Sequence, residues 1–255
     1  MNKAHCWTSL RHFAVTAGFL AVAAGGARAQ NASQVTVAVR GGLESFDKAA
    51  SLDKSWVIGL DAMYGINNWL SVGPVFSLGR PNTTGSHFMT VLTYGVLNLG
   101  DTTNFYAAAQ PISVLDGALN ARVQLPGKKL SPYATLGVGG YTLFLDVQSN
   151  RGERHKVGVA VNAGAGLLYA FSDRAGVTFD VRSSTFTDYD RNILDPRITC
   201  DVAVPTFTQC PRVENSLFRE DFKPAPKAKK TVMNFLFSVG FSYVPSFFGG
   251  GGGGQ

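Results

Sequence analysis

Few side chains in this sequence have the type and spacing that catalysis requires. Only two histidines, His87 and His155, follow the first 29 residues. A histidine beside a serine or a carboxylate can act as a general base, so His87 with Ser86 and His155 with Glu153 are the candidate pairs for a lipid-modifying enzyme. Both histidines are more simply solvated loop residues, and no HExxH, CxxC or GxSxG pattern is present. The sequence therefore predicts no catalytic, cofactor-binding or metal-binding residue, and no enzyme.

The first residues have the pattern of a secretory signal peptide. Lys3 and Arg11 form a basic start, residues 13–24 are apolar, and Ala27-Arg28-Ala29 is a small-x-small cleavage site. The apolar run is about 12 residues, shorter than the roughly 20 that a spanning helix needs. We expect cleavage after Ala29, which predicts three segments: a signal peptide (1–29), a folded domain (30–248) and a flexible glycine tail (249–255).

Export changes how charge and cysteines are interpreted. The signal holds three of the 23 basic residues and none of the 17 acidic ones, so the mature chain has 20 basic and 17 acidic residues. This small excess of positive charge gives little support for nucleic-acid binding. Cys6 is removed with the signal. Cys200 and Cys210 remain, and such a pair in an exported chain favours a disulfide that closes a small loop. A metal pair is the alternative, but no further cysteine or nearby histidine supports it.

The side chains alternate between apolar and small or polar along eight segments. In the last of them, 231–244, Phe235, Phe237 and Phe241 fall on one face, while the other face is mixed and small. Most segments have about 10 to 14 residues, which suits strands crossing a bilayer at a tilt. The segments are 34–43, 55–65, 69–80, 115–125, 132–144, 157–171, 175–186 and 231–244.

The connections alternate between short and long. Residues 66–68, 126–129 and 172–174 are tight turns, whereas the other connections are longer. Short turns at one end and long loops at the other are typical of outer-membrane barrels. We therefore predict an all-β, antiparallel, up-and-down transmembrane barrel with eight strands. Two further strands, at 87–99 and 105–114, would make ten and keep the same alternation, which leaves ten as the alternative.

Charged residues fall on the predicted inner face of the strands. An eight-stranded barrel is just wide enough for its side chains to fill, and buried charges must be paired. We therefore expect a salt-bridged network that plugs the lumen. Its members are Arg40, Glu44, Asp61, Asp116, Arg122, Asp180 and Arg182.

Aromatic residues cluster at the predicted short-turn ends of the strands. Tyrosine and tryptophan are enriched where a barrel meets the membrane interface, so these residues are predicted to form a periplasmic girdle. They are Tyr64, Trp69, Tyr133, Tyr169 and Tyr243. The alternative is that aromatic residues are simply common in strands.

Two runs and the last strand carry a resemblance to a known family. The runs Ser131-Pro-Tyr-Ala-Thr-Leu-Gly-Val-Gly-Gly-Tyr141 and Gly164-Ala-Gly-Leu-Leu-Tyr-Ala-Phe-Ser-Asp-Arg174, with the aromatic final strand, resemble small outer-membrane β-barrel proteins of the OmpA and OmpX type. The resemblance implies a Gram-negative outer membrane and insertion by the barrel assembly machinery. In this family the machinery recognises an aromatic-ended final strand. The matching residues here are Phe237, Gly240, Phe241 and Tyr243, with Tyr243 or Phe248 as the terminal aromatic.

These patterns identify an architecture better than a role. We expect a monomeric, non-enzymatic barrel with a structural or surface-interaction role, in contact with outer-membrane lipid and lipopolysaccharide. The long loop 187–230 is the candidate site for an extracellular partner. A narrow porin-like channel, a lipid-modifying enzyme and a soluble exported β-barrel binder are the alternatives.

Overall fold

Each of the eight segments predicted from the alternation of apolar and polar residues forms a β-strand. The computed structural model describes residues 33–93, 102–106, 109–125, 127, 129–149, 151–195 and 226–245. Within them lie ten strands and three short 3-10 turns. The strands are β1 (Val35–Ser45), β2 (Ser55–Gly65), β3 (Leu70–Gly79), β4 (Met89–Thr93), β5 (Thr102–Tyr106), β6 (Ile112–Gln124), β7 (Leu130–Leu145), β8 (His155–Ala170), β9 (Ala175–Phe186) and β10 (Val232–Tyr243).

Eight of the strands close into one barrel, in the order β1-β10-β9-β8-β7-β6-β3-β2. Every neighbouring pair is antiparallel, and β1 meets β10 over nine register pairs from Val37 with Tyr243 to Ser45 with Phe235. The predicted eight-stranded, up-and-down barrel is therefore confirmed. The alternative of ten strands is wrong, because β4 and β5 pair only with each other in a separate hairpin.

The apolar residues of the strands form the outer wall. In β10 every second residue is buried and the others are exposed, so Phe235, Phe237 and Phe241 point outward while Asn234 and Ser238 point inward. The same alternation in the other barrel strands leaves a continuous band of exposed aliphatic and aromatic side chains. Such a band is favourable only against an apolar surrounding.

Side-chain caps stabilise the short turns. Between β2 and β3 the Asn67 side-chain oxygen accepts hydrogen bonds from the backbone N–H groups of Trp69 (2.9 Å) and Leu70 (2.8 Å). Between β8 and β9 the Ser172 hydroxyl oxygen accepts from the backbone N–H of Ala175 at 3.0 Å. Local Asx and Ser turns of this kind need no long-range contact, which explains why the sequence predicted them correctly.

A glycine on the inner wall permits a close contact between strands. A Cβ on Gly137 of β7 would lie 1.7 Å from the side-chain oxygen of Asn120 on β6. Only glycine leaves room for that amide, so the narrow interior holds large side chains beside residues that have none.

Residues of the long loops fold back into one mouth of the barrel. Phe46, Leu52, Ile193 and Leu194 are buried there in one cluster with strand residues such as Phe186. The loop segments include the 3-10 turns at Lys48–Ala50 and Arg191–Leu194. This outer cap, defined as residues 46–52, Phe88 and 189–194, forms an apolar layer at the long-loop end.

None of the helical turns among the described residues is long and apolar enough to cross a membrane.

Candidate functional site

The interior of the barrel is organised around Asp61. Its carboxylate lies 2.6 Å from Arg182 Nη2, 2.9 Å from Arg40 Nε and 3.4 Å from Arg122 Nη2. All four side chains are almost fully buried. The four residues come from β2, β9, β1 and β6, so this ion cluster ties together strands from opposite walls of the barrel. Because these side chains are shielded from water, the Asp61 carboxylate is stabilised by charge-assisted hydrogen bonds to the three guanidinium groups and not by hydration.

Asp180 extends the cluster along β9. It lies 3.3 Å from Arg182 Nη2 and accepts a hydrogen bond of 2.5 Å from the Tyr133 hydroxyl. The guanidinium of Arg122 stacks over the Tyr133 ring, 4.5 Å from its centroid, which adds a cation–π contact. The cluster thus holds three cations and two anions, with one aromatic ring packed among them.

The placement of Tyr133 corrects a prediction. It was assigned to the aromatic girdle, but its side chain is only 2% exposed and faces the lumen, so that assignment is wrong. The alternation of β7 directs Pro132 and Ala134 outward and Tyr133 inward. Gly166 on β8 makes this possible, because a Cβ there would lie 2.5 Å from the tyrosine ring.

Two predicted members of the network lie apart from the arginines. Asp116 accepts a hydrogen bond of 2.8 Å from the Ser184 hydroxyl, and the same hydroxyl contacts the Asn162 side chain. Glu44 is buried near the outer end of β1. Neither carboxylate forms an ion pair within the described residues, so the expectation of mutual pairing does not extend to these two.

The other predicted girdle residues lie at the short-turn end. Tyr64, Tyr169 and Tyr243 stand on the outer wall in the last two residues of their strands, and Trp69 lies in the turn before β3. All four are exposed. They lie on the outside of the short-turn end together with exposed apolar residues such as Phe171, and their assignment to a periplasmic girdle stays a prediction.

The outer cap closes the opposite mouth of the barrel. The Tyr189 hydroxyl donates a buried hydrogen bond of 2.8 Å to the Ala50 backbone oxygen, which joins the loop after β9 to the loop after β1. Burial raises the pKa of Tyr189, so this hydroxyl stays protonated. Below it the rings of Tyr141 and Phe186 stack with centroids 4.2 Å apart. Two large rings under a buried loop leave this end filled by side chains.

His87 contacts a different serine from that of the candidate pair. The Ser86 side chain lies outside the described residues, and His87 Nδ1 lies instead 2.8 Å from the Ser51 hydroxyl. Ser51, which ends the first 3-10 turn of the cap in the left-handed conformation, is 1% exposed. Burial, with Arg191 nearby, lowers the pKa of His87. A histidine–serine pair with a covered hydroxyl supports the cap and offers no nucleophile to a substrate.

The second histidine pair is not brought together. His155 and Glu153 are both exposed, and no hydrogen bond joins their side chains among the described residues. Nor does any group of three or more histidine, cysteine or acidic side chains in the described part of the chain form a potential metal site.

Several predicted features have little or no described structure. Cys200, Cys210, the signal peptide and the glycine tail lie outside the described residues, as does most of loop 187–230. The residues of the proposed assembly signal are described. Phe237, Phe241 and Tyr243 stand on the outer wall, and Gly240 faces inward opposite Arg40.

Sequence reasoning missed the cap and the role of Tyr133. The sequence did contain a signal for the cap: Ile193 and Leu194 are adjacent aliphatic residues inside a charged loop, and burial removes such side chains from water. Tyr141, also inward on β7, was not assigned to any site. The alternation of β7 identifies both tyrosines as inward once the phase is taken from Leu136 and Val138, which are exposed.

Comparison with known proteins identifies what the chain is similar to. A family model described as the outer membrane protein beta-barrel domain matches residues 17–196. Neisserial surface protein A is 10% identical, with a TM-score of 0.48, over 82% of this chain and 96% of its own. OprG from Pseudomonas aeruginosa is 16% identical (TM-score 0.42; 85% and 99% covered). Ail of Yersinia pestis, solved with the heparin analogue sucrose octasulfate, is 10% identical (0.34; 82% and 97%). No curated protein matches the sequence.

Proposed function

The chain belongs to the outer membrane protein β-barrel family, and we propose that it is a sealed, non-enzymatic barrel whose role is structural or lies at its cell-surface loops. Membership places it in the bacterial outer membrane. The proposal concerns the narrower questions of transport, catalysis and surface contact.

The observation that carries the proposal is the double closure of the lumen. The ion cluster around Asp61 fills the middle of the barrel, and the outer cap with Tyr141 and Phe186 fills the long-loop mouth. A solute crossing the barrel would have to displace buried charges from their partners and apolar side chains from their cluster. Each displacement is unfavourable, because unpaired buried charges and exposed apolar surface both cost free energy.

A lipid-modifying enzyme has less support. The histidine–serine pair of the cap has a covered hydroxyl, and His155 and Glu153 are not hydrogen-bonded to each other in the described structure. Since a nucleophile must reach its substrate, neither pair has the required geometry.

The remaining assignments complete the proposal. The signal peptide is cleaved after Ala29, residues 30–248 form the barrel with its loops, and residues 249–255 are a flexible tail. The final strand is recognised by the barrel assembly machinery through Phe237, Gly240, Phe241 and Tyr243. A Cys200–Cys210 disulfide braces loop 187–230, through which the monomer contacts an extracellular partner.

Planar-bilayer recording tests the sealed lumen. Purified protein, shown to be folded by its heat-modifiable mobility in unheated electrophoresis, is expected to give no discrete conductance steps. Ohmic steps from the wild-type protein would overturn the sealed-lumen proposal in favour of a channel. The lipid A profile of cells that express the protein is expected to be the same for wild type, His87→Ala and His155→Ala. A modified lipid species that requires either histidine would overturn the non-enzymatic assignment.

A further inference from the structure

We propose that the outer wall at the β1–β10 seam binds one molecule of lipid A, the phosphorylated and multiply acylated glycolipid of the outer leaflet. An acyl chain lies in a groove of the wall, and the phosphates contact lysines above it. The inference rests on the outer-membrane location and goes beyond the proposed function, since it names a lipid and its site.

The groove runs from Trp56 on β2 to Pro132 on β7, and Gly41 of β1 lies near its long-loop end. It has a volume of about 780 Å³ and an almost wholly apolar lining that includes Leu43, Trp56 and Phe237. A Cβ on Gly41 would meet no atom within 4 Å, so the missing side chain leaves a gap in an otherwise continuous apolar band. Trp56, 75% exposed in the second residue of β2, stands beside the long-loop end of the groove.

The groove follows a row of register partners around the wall. Gly41 pairs with Val239, Val239 with Phe179, Phe179 with Leu167, and Leu167 with Pro132. Four steps between neighbouring strands span about 19 Å. Because the strands of such barrels are tilted, the row descends obliquely through the membrane. Leu167 and Pro132 lie close to the short turns, so only the part of the groove from Leu43 to Val239 belongs to the outer leaflet, which contributes about 15 Å of hydrocarbon thickness and can seat the end of one acyl chain there.

Five exposed lysines lie at the long-loop end of the same seam. They are Lys48 and Lys54 in the loop between β1 and β2, and Lys227, Lys229 and Lys230 before β10. The Lys229 ammonium lies 3.0 Å from the Asp47 carboxylate, which fixes the segment before β10 against the loop after β1. The lysines therefore stand over the strands that form the groove.

The charge of this group is suited to phosphate. Among the described residues, Asp47 and Asp53 are the acidic residues of the loop between β1 and β2, and Asp188 and Asp190 beside Lys230 are paired with Lys156 and Arg151, so the five lysines exceed the carboxylates left to them. Other charges on the described long-loop side form ion pairs, such as Arg80 with Asp146 and Arg151 with Asp190. Basic residues directly above an apolar membrane surface attract anionic lipid headgroups. A ligand that carries phosphates above acyl chains matches both parts of this surface.

Titration of the purified, folded protein with lipid A, followed by native mass spectrometry, tests the site. We expect saturable binding of one lipid A per barrel. The triple variant Lys227→Ala, Lys229→Ala, Lys230→Ala should bind on the order of a hundredfold more weakly, since each lysine near the headgroup contributes about a factor of five. Arg80→Ala removes an exposed positive charge from the long-loop end of β3, a strand that does not line the groove, and should bind as wild type does.

The acyl half of the site is tested separately. A Cβ on Gly41 meets no atom within 4 Å, so Gly41→Leu can project its side chain into the groove and should weaken binding about tenfold or more by displacing the acyl chain. Ala121→Leu adds a similar side chain to the exposed outer wall of β6 and should have no effect. Lipid A without its phosphates should bind the wild type as weakly as lipid A binds the lysine variant.

Binding that does not saturate, or a lysine triple variant that binds as wild type does, would overturn the inference. Wild-type affinity in Gly41→Leu would also overturn it, since the lysines would then bind phosphate without a seated chain. The sealed-lumen proposal is decided by conductance, so either proposal can fail while the other holds.

Discussion

Replacing Asp61 with asparagine should produce the largest loss of stability for a single charge in this protein. The substitution nearly preserves the volume of the side chain and removes the one carboxylate shared by Arg40, Arg122 and Arg182. Breaking a buried ion pair by removing one partner costs about 3 to 5 kcal/mol, because the other charge stays buried without compensation. Asp180 remains to neutralise part of the excess, so we expect a loss of about 3 kcal/mol.

Urea unfolding in lipid vesicles, followed by tryptophan fluorescence, measures this loss as a shift of the midpoint at constant slope. Asp146→Asn is the matched control, since Asp146 lies 2.7 Å from Arg80 Nη2 but both side chains are substantially exposed. An exposed pair contributes about 0 to 1 kcal/mol, and the control should change stability by no more than that.

A double-mutant cycle separates the ion pair from other effects of the substitution. Arg182→Met removes the arginine closest to Asp61, at 2.6 Å, and the double variant should be more stable than the sum of the two single losses predicts. We expect a coupling energy of about 1 to 3 kcal/mol. The reasoning is refuted if Asp61→Asn loses no more stability than Asp146→Asn, or if the coupling energy is below about 0.5 kcal/mol.

Three further predictions concern the aromatic, glycine and histidine contacts. Tyr133→Phe leaves Asp180 without its 2.5 Å hydrogen bond and should lower the free energy of unfolding in urea by about 1 to 3 kcal/mol. Tyr169→Phe, on the outer wall, should lower it by less than about 0.5 kcal/mol. Equal losses would contradict the inward position of Tyr133. Gly137→Ala should lower the unfolding midpoint, since its Cβ would lie 1.7 Å from a buried amide oxygen, while Gly41→Ala, which meets nothing within 4 Å, should leave it unchanged. The fold lowers the pKa of His87 below its usual value of 6.5, so the folded state favours the neutral ring. This contribution to stability is fully present at pH values above 6.5 and is lost as the pH falls through the pKa of the folded state. The protection factors of amides in the loop after β1, which correct for the intrinsic slowing of amide exchange in acid, should therefore be lower at pH 5 than at pH 7.5, and His87→Gln should abolish that difference.

The architecture could be predicted because its causes are local. Two-residue alternation, as in Phe235, Phe237 and Phe241, determines which face of a strand is apolar wherever the strand pairs. Turn chemistry at Asn67 and Ser172 likewise depends on neighbouring backbone groups alone. The strand count, the closed barrel and the inward position of the charged residues followed from such signals.

The partners of the inward residues could not be predicted in the same way. Asp61 and Arg182 are 121 positions apart in sequence, and their contact depends on the stagger of the strands around the closed barrel. The same stagger brings Asp116 to Ser184 and not to an arginine. Tyr133 was assigned to the girdle because of its position at a strand end, although the alternation of β7 already favours the inner face. The room that Gly166 provides for its ring is visible only in three dimensions.

The sequence by itself therefore determined the class of structure: eight amphipathic strands, an apolar outer wall and a charged interior. Only the tertiary structure decided that the lumen is closed twice, by Asp61 with its arginines and by loop residues such as Tyr189 that fold back into the barrel mouth. The physical reason is that alternation and turn chemistry act over a few residues. The pairing of buried charges and the docking of a loop depend instead on which strands the closed barrel places opposite one another.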